Sequence, residues 1–286
     1  MTRPADFPEL LDYAFSLLKS GAWISSSSCK ICKHTAIPFD MVDFNKSGDY
    51  DLYPGGLSGI PVVYHRCEEC GFIYTNFFDN FSPEWWGKYI YNKEYYSTID
   101  PDYESARPKA NASEISEVLK GKSEIIGLDY GGGSGLTAQL LRERGLLFDC
   151  YDPYGRQEVS PERIGRYNFC TASEVFEHLP NPVETMRSIL SMCQSDQLTI
   201  LIGTALSDGR ITARNRLQWW YVAPRNGHIS IFSKKSLGQL ASMFDLVYAG
   251  RVGSTHVLSR RSSIDSVDYK FALWRTKLTK RLKRFF

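Results

Sequence analysis

The chain of 286 residues has no apolar run near the ~18 residues needed to cross a bilayer; Leu198 to Leu206 has only the length of a central strand. Its opening residues lack the basic start and apolar stretch of a secretory signal, so the cytoplasm is the expected compartment. Neither sign of charge prevails, with 34 Lys and Arg against 32 Asp and Glu and a net charge of +2. Seven of those cations (Lys270, Arg275, Lys277, Lys280, Arg281, Lys283 and Arg284) fall in residues 270–286, where there is no acid, and leave the remainder about five charges negative. A body of that sign offers no broad phosphate-binding face, which argues against nucleic acid as a partner. Histidine is scarce, at five positions, so few imidazoles compete for a catalytic role. Against these absences, an apolar content of 43% supports a substantial core, and the length suits about two domains.

Cysteine occurs seven times, and four of the seven are paired by spacing. Cys29-Lys30-Ile31-Cys32 and Cys67-Glu68-Glu69-Cys70 are Cys-x-x-Cys knuckles, whereas Cys150, Cys170 and Cys193 stand singly in apolar contexts. Each knuckle places two sulfurs on one turn, so two knuckles supply the four thiolates of tetrahedral zinc. Gly71 permits a sharp turn after the second. A closed four-cysteine set leaves no open coordination position, which makes the expected zinc structural; a redox pair or disulfides are the other readings of this spacing. The 34 residues between the knuckles predict a long loop around Asn45 to Gly59.

The most informative stretch is Leu128-Asp129-Tyr130-Gly131-Gly132-Gly133-Ser134-Gly135. Ile125, Ile126 and Leu128 predict a buried strand, Gly131 to Gly135 a turn, and Leu136 to Arg144 a helix. Only glycine bends this tightly while a ligand lies against the backbone. Gly133, Gly135 and Ala138 fit the dinucleotide spacing G-x-G-x-x-A, and Gly131, Gly133 and Gly135 fit the G-x-G-x-G of S-adenosylmethionine enzymes. Asp152, at the end of the next apolar stretch (Leu146 to Tyr151), suits two ribose hydroxyls in either case. The carboxylate of Asp129 favours a cationic ligand bearing an amino group over a pyrophosphate, which it repels.

Tyr167 to Glu177, followed by His178-Leu179-Pro180, resembles the fourth-strand motif of class I S-adenosylmethionine-dependent methyltransferases. With the glycine loop and Asp152, the resemblance runs from about Glu124 to Arg260. It implies an α/β, Rossmann-like sheet with Asp129, Gly131, Gly133, Gly135, Asp152, Ser173 and Glu174 at the cofactor. The chain departs from the family in one respect: Pro153 to Arg166 is too short for a helix, a third strand and another helix. One edge of the sheet should therefore be reduced. The expected organisation is an N-terminal helix and zinc ribbon over residues 1–80, a methyltransferase domain over 81–260 and a basic tail over 261–286.

Between the knuckles and the glycine loop lie Trp85, Trp86, Tyr89, Tyr91, Tyr95, Tyr96 and Tyr103, whose faces suit stacking on sugars or bases or fastening the two domains together. The family resemblance implies a tyrosine-bearing segment over the methionine end of the cofactor, which points to Tyr95 or Tyr96, with Arg107 for a carboxylate. Transfer to an alcohol requires removal of its proton, and histidine is the usual base. His178 follows the fourth strand; His228 lies in Trp219 to Ile229, which resembles the substrate-facing loop of small-molecule and sugar methyltransferases. His228 is the expected base and His178 a second base or orienting group, with Arg225, Asn226 and Tyr221 toward the acceptor. His256 reads as structural.

The tail spaces Phe271, Trp274, Leu278, Leu282 and Phe285 at three and four residues, which predicts an apolar helical stripe flanked by cations. Such a helix suits an anionic membrane surface or a partner protein. The combined reading is O-methylation of a sugar or glycan acceptor, lipid-linked at the cytoplasmic face, in bacterial surface polysaccharide synthesis. C- or N-methylation of a nucleotide sugar, RNA methylation and a non-enzymatic docking role are the alternatives.

Overall fold

The computed structural model describes residues 7–21, 23–48, 56–92 and 100–260. They form two compact units. The first gathers the described parts of Met1–Ile99 with Glu177–Pro182 and Ala205–Leu240. The second gathers Asp100–Phe176, Val183–Thr204 and the described part of Ala241–Phe286. Strand pairing accounts for the discontinuous first unit: Ser230–Ile231, from the C-terminal half, completes its sheet.

The first unit opens with α1 (Pro8–Ser20). Pro8 sits in the first turn, where an N–H would lack a helical partner, and Gly21 closes the helix at a φ of 68°. Leu10 and Ala14, four residues apart, share the face turned inward. Its sheet is β1 (Ser27–Ser28), β2 (Thr35–Asp43), β3 (Pro61–Cys67), β4 (Ile73–Tyr74) and β10 (Ser230–Ile231), in that order and antiparallel throughout. The core is aromatic: Phe7, Trp23, Phe44, Phe77, Phe78, Phe81, Trp86 and Tyr89 pack edge to face and in stacks. Trp86 and Tyr89, and Trp85 against them, are thus spent on this core and present no platform to a ligand. Tyr95 and Tyr96 lie outside the described residues, as does the tail from 261 to 286.

The second unit carries a seven-stranded sheet, β11-β12-β9-β8-β5-β6-β7. Strands β5 (Ile126–Tyr130), β6 (Leu147–Tyr151), β8 (Phe169–Ser173) and β9 (Thr199–Gly203) are parallel. β12 (Thr255–Arg260) and β11 (Leu246–Val252) add antiparallel strands at one edge. Helices α2 (Ala106–Val118) and α3 (Leu136–Glu143) cover the sheet with Ile115, Val118, Ala138 and Leu141, against Phe148, Phe169 and Leu201. Strands covered on both faces must be apolar along their length, which is why β9 reads Thr-Ile-Leu-Ile-Gly.

At the other edge, the short run from Pro153 to Arg166 yields one strand, β7 (Gln157–Glu158), two residues antiparallel to β6, and a single 3-10 turn at Pro161–Arg163. The reduced edge foreseen from length is present. Asp149, at 6% exposure, ties that run down by accepting from Arg163 (2.5 Å), Tyr167 Oη (2.6 Å) and the Ser160 N–H (3.2 Å). His256 on β12 bonds Tyr248 Oη through Nδ1 and the Thr204 carbonyl through Nε2, a structural role as expected. No helix among the described residues is long and apolar enough to cross a membrane.

Candidate active site

In the second unit, β5 ends at Asp129-Tyr130, and the chain turns through Gly131 to Gly135 into α3. Gly131, Gly133 and Gly135 have φ of 72°, 56° and 79°, a region costly for any residue with a Cβ. Crowding reinforces the requirement. A Cβ on Gly131 would lie 2.4 Å from Val175 Cγ2, and one on Gly132 would lie 2.5 Å from Asp129 Oδ2. Asp152 caps this loop: its Oδ2 accepts the Gly133 N–H at 2.9 Å and its Oδ1 accepts the Tyr154 N–H at 2.8 Å. Gly155 then approaches so closely that a Cβ there would stand 2.6 Å from the Gly133 carbonyl oxygen. A carboxylate has about four lone-pair sites, so Asp152 retains acceptor capacity beside its structural bonds.

Asp129 is the electrostatic centre of the loop. It is buried, its Oδ1 accepts from Thr171 Oγ1 on β8 at 2.8 Å, and its Oδ2 has no hydrogen-bond partner among the described residues. Burial, opposed in part by the Thr171 bond, pushes its pKa up to about 6. A buried carboxylate oxygen left unsatisfied beside a glycine cradle fits a ligand that brings a cation or donor, as S-adenosylmethionine does with its amino group. Arg107 on α2 bonds Asp100 at 2.5 Å and stands 3.7 Å from Glu174 Oε2, so its charge is shared between two carboxylates. Glu174 follows Ser173 at the end of β8 with a φ of 55°, and its N–H donates to the Gly203 carbonyl at 2.8 Å.

In the first unit, Glu177, His178 and His228 bring one ligand-type atom each to within 4.8 Å of one another. Glu177 is wholly buried and its Oε1 accepts from Tyr221 Oη at 2.6 Å. His228 Nδ1 lies 2.8 Å from the Tyr221 carbonyl, which can only accept, so Nδ1 carries the proton and Nε2 is the basic nitrogen. The His178 and His228 rings meet edge to face at 5.0 Å. Backbone bonds hold the two segments in register: the Ile229 N–H donates to the Glu177 carbonyl (2.8 Å) and Ser230 Oγ to the Leu179 carbonyl (2.7 Å). Gly227, at a φ of 81°, backs onto His178; a Cβ there would lie 2.8 Å from Nδ1.

The residues expected to face an acceptor divide. Arg225 is 8% exposed, donates to the Tyr89 carbonyl, and lies over the rings of Phe7 and Phe44 at 5.9 and 5.7 Å. An always-charged guanidinium can be buried where aromatic faces and a carbonyl receive it. Asn226 Oδ1 accepts the Gly48 N–H at 3.3 Å. Tyr221 is 3% exposed, and its hydroxyl joins Glu177 to the Ala205 N–H, so it supports the cluster from behind. Its neighbour Trp220 is 50% exposed and packs edge to face on Tyr221.

The four knuckle cysteines also converge. Cys29 and Cys70 sulfurs are 3.7 Å apart and Cys32 and Cys67 sulfurs 3.4 Å. These spacings suit four sulfurs each about 2.3 Å from a common tetrahedral ion, and they are far beyond the roughly 2.05 Å of a disulfide. Each knuckle ends in a left-handed residue, Lys33 at 64° and Gly71 at 72°. The Ile31 and Cys70 N–H groups point at Cys29 and Cys67 sulfurs, both at 3.4 Å. The donor set fits zinc.

Thr171, Gly132, Gly155 and Glu177 were not singled out from sequence. Glu177 stood in plain view beside His178, but its importance depends on Tyr221, forty-four residues away.

The sequence matches the family model described as a methyltransferase domain over residues 103–249, just over half of the chain. The chain belongs to that family, and its α/β sheet, with parallel strands and a reduced edge, is that of a class I S-adenosylmethionine-dependent methyltransferase. Similar solved structures include a mitomycin 7-O-methyltransferase (14% identity, TM-score 0.39, 58% of this chain and 59% of that one). Another is an O-methyltransferase family protein from Burkholderia thailandensis (15%, 0.42, 61% and 64%). A third is a possible histamine N-methyltransferase from Thermotoga maritima (12%, 0.36, 62% and 97%). The chain spans about three fifths of the length of the first of these. No match is found among curated protein sequences.

Proposed function

We propose that this methyltransferase O-methylates a hydroxyl-rich, sugar-like acceptor, with its proton taken at the cluster of Glu177, His178 and His228. The observation that carries the reading is the buried Glu177–Tyr221–His228 arrangement, which fixes the tautomer of an imidazole and presents Nε2 as a base. The half-exposed Trp220 ring, adjoining Tyr221, supports a sugar acceptor, since aromatic faces stack on the apolar side of a pyranose.

Bound S-adenosylmethionine would supply a methyl group on a sulfonium, already activated for attack. Asp129, the glycine loop and Asp152 would hold it, with Ser173, Glu174 and Arg107 alongside. His228 accepts the hydroxyl proton, His178 orients, and Glu177 stabilises the imidazolium that results. Much of the rate comes from alignment of oxygen and methyl group. The four cysteines would hold a structural zinc ion. The lipid-linked glycan acceptor and a membrane- or partner-seeking tail over residues 270–286 complete the proposal.

The test is incubation of purified protein with 13C-methyl-labelled cofactor and a panel of nucleotide sugars and glycans. An O-methyl carbon signal is expected in the product; C-methyl or N-methyl carbon would replace the acceptor chemistry, and labelled RNA would overturn the substrate class. His228→Ala is expected to keep cofactor affinity and lose turnover by roughly 100-fold or more.

A further inference from the structure

We propose that Glu177, His178 and His228 form a second metal site, of the two-histidine, one-carboxylate kind, separate from the four cysteines. It rests on the acceptor-activating role given to this cluster above and names the agent of that activation. The observation is the convergence of three ligand-type atoms within 4.8 Å. An ion with bonds of about 2.1 Å spans ligand atoms up to about 4.2 Å apart, so small side-chain rotations close the set.

Three features separate this cluster from a chance meeting of polar groups. First, Glu177 is wholly buried and His228 is 9% exposed, whereas accidental clusters of acids lie in solvent. Second, the supports that metal ligands require are already built. The His228 Nδ1–H donates to the Tyr221 carbonyl, which makes Nε2 the unprotonated, ligand-type nitrogen, and Tyr221 Oη donates to Glu177 Oε1. One residue thereby orients two ligands, and the Ala205 N–H fixes its hydroxyl at 3.1 Å. Third, Gly227 and the backbone ties to Ile229 and Ser230 hold the two chain segments that carry the ligands.

The donor set selects the ion. Two imidazoles favour a divalent first-row transition ion over magnesium or calcium, which prefer oxygen alone. Three protein ligands leave coordination positions open, in contrast to the closed set of cysteines. An acceptor bearing vicinal hydroxyls fits those positions, and the ion would lower the pKa of the hydroxyl it holds, whose proton passes to water; with Nε2 on the ion, His228 acts as a ligand in place of a base.

The experiment uses the full chain stripped of metal and titrated with Co2+, with Zn2+ counted separately by elemental analysis. Two ions per chain are expected: one producing the thiolate-to-cobalt charge-transfer band, the other binding without it and shifting histidine imidazole N–H protons in the paramagnetic NMR spectrum. Glu177→Gln and Tyr221→Phe should weaken the band-free ion, the latter by roughly 10- to 100-fold, and leave the thiolate band intact. Retention of that band also reports that each variant has folded. A single ion per chain, accounted for entirely by the thiolate band, overturns the metal site. In that case His228→Ala still decides the base reading: loss of turnover with one ion bound keeps it, and wild-type turnover removes both.

Discussion

Asp129 carries an unusual burden for a single side chain, a carboxylate oxygen buried with no partner among the described residues. Its pKa rises from 3.8 to about 6, so between those values the folded chain holds a proton that the unfolded chain has released. Stability therefore falls as pH rises through that window, and the penalty, on the order of 3 kcal/mol, is complete above about pH 6. Asp129→Asn should raise the melting temperature of the ligand-free protein at pH 8 while weakening S-adenosylhomocysteine binding at least tenfold; calorimetry and thermal unfolding check both. Wild-type affinity for the same ligand should increase from pH 5 to pH 7, because its cationic amino group needs the ionised carboxylate. A pH-independent affinity with unchanged binding in Asp129→Asn would remove Asp129 from the cofactor site.

At the scale of elements, two turns set the geometry. The segment Asp152 to Arg156 lies on the glycine loop, and Gly155→Ala would drive a methyl group to 2.6 Å from the Gly133 carbonyl. A cost of roughly 1–3 kcal/mol is expected, read as lost cofactor affinity with little effect on the knuckles. Gly227→Ala meets both a left-handed backbone and His178 Nδ1, so turnover should fall while cofactor affinity stays near wild type. The glycine loop, the knuckles and the shortened sheet edge were legible in the sequence because each is encoded locally, by spacing or by length. Gly155, Thr171 and the support by Tyr221 were not, because each acts through a contact between distant segments. The packing of Arg225 and the tryptophans was hidden for a related reason: composition shows that cations and aromatics are present, not whether they pack on one another.

For the whole molecule, the two units predict separable losses. Replacement of Cys29 and Cys32 by serine should melt the first unit, with its aromatic core and the Glu177–His178–His228 cluster, and abolish turnover. The second unit holds the glycine loop on its own parallel sheet, so S-adenosylhomocysteine binding should survive within roughly tenfold; titration calorimetry on the double variant reads the difference. Complete loss of that binding would show the two units to be one cooperative body.

The pairing of β10 with β4 also governs the order of events during synthesis. Ile73 leaves the ribosome long before Ile231 exists, and at about 5–20 residues per second the interval is roughly 8–30 s. For that time Phe77, Phe78, Phe81 and Trp86 belong to a nascent chain whose sheet lacks a strand, exposed to chaperones and to aggregation. The parallel sheet, though second in sequence to begin, waits on only the short run from β10 to β12 for its last strand, so both units receive their final strands almost together.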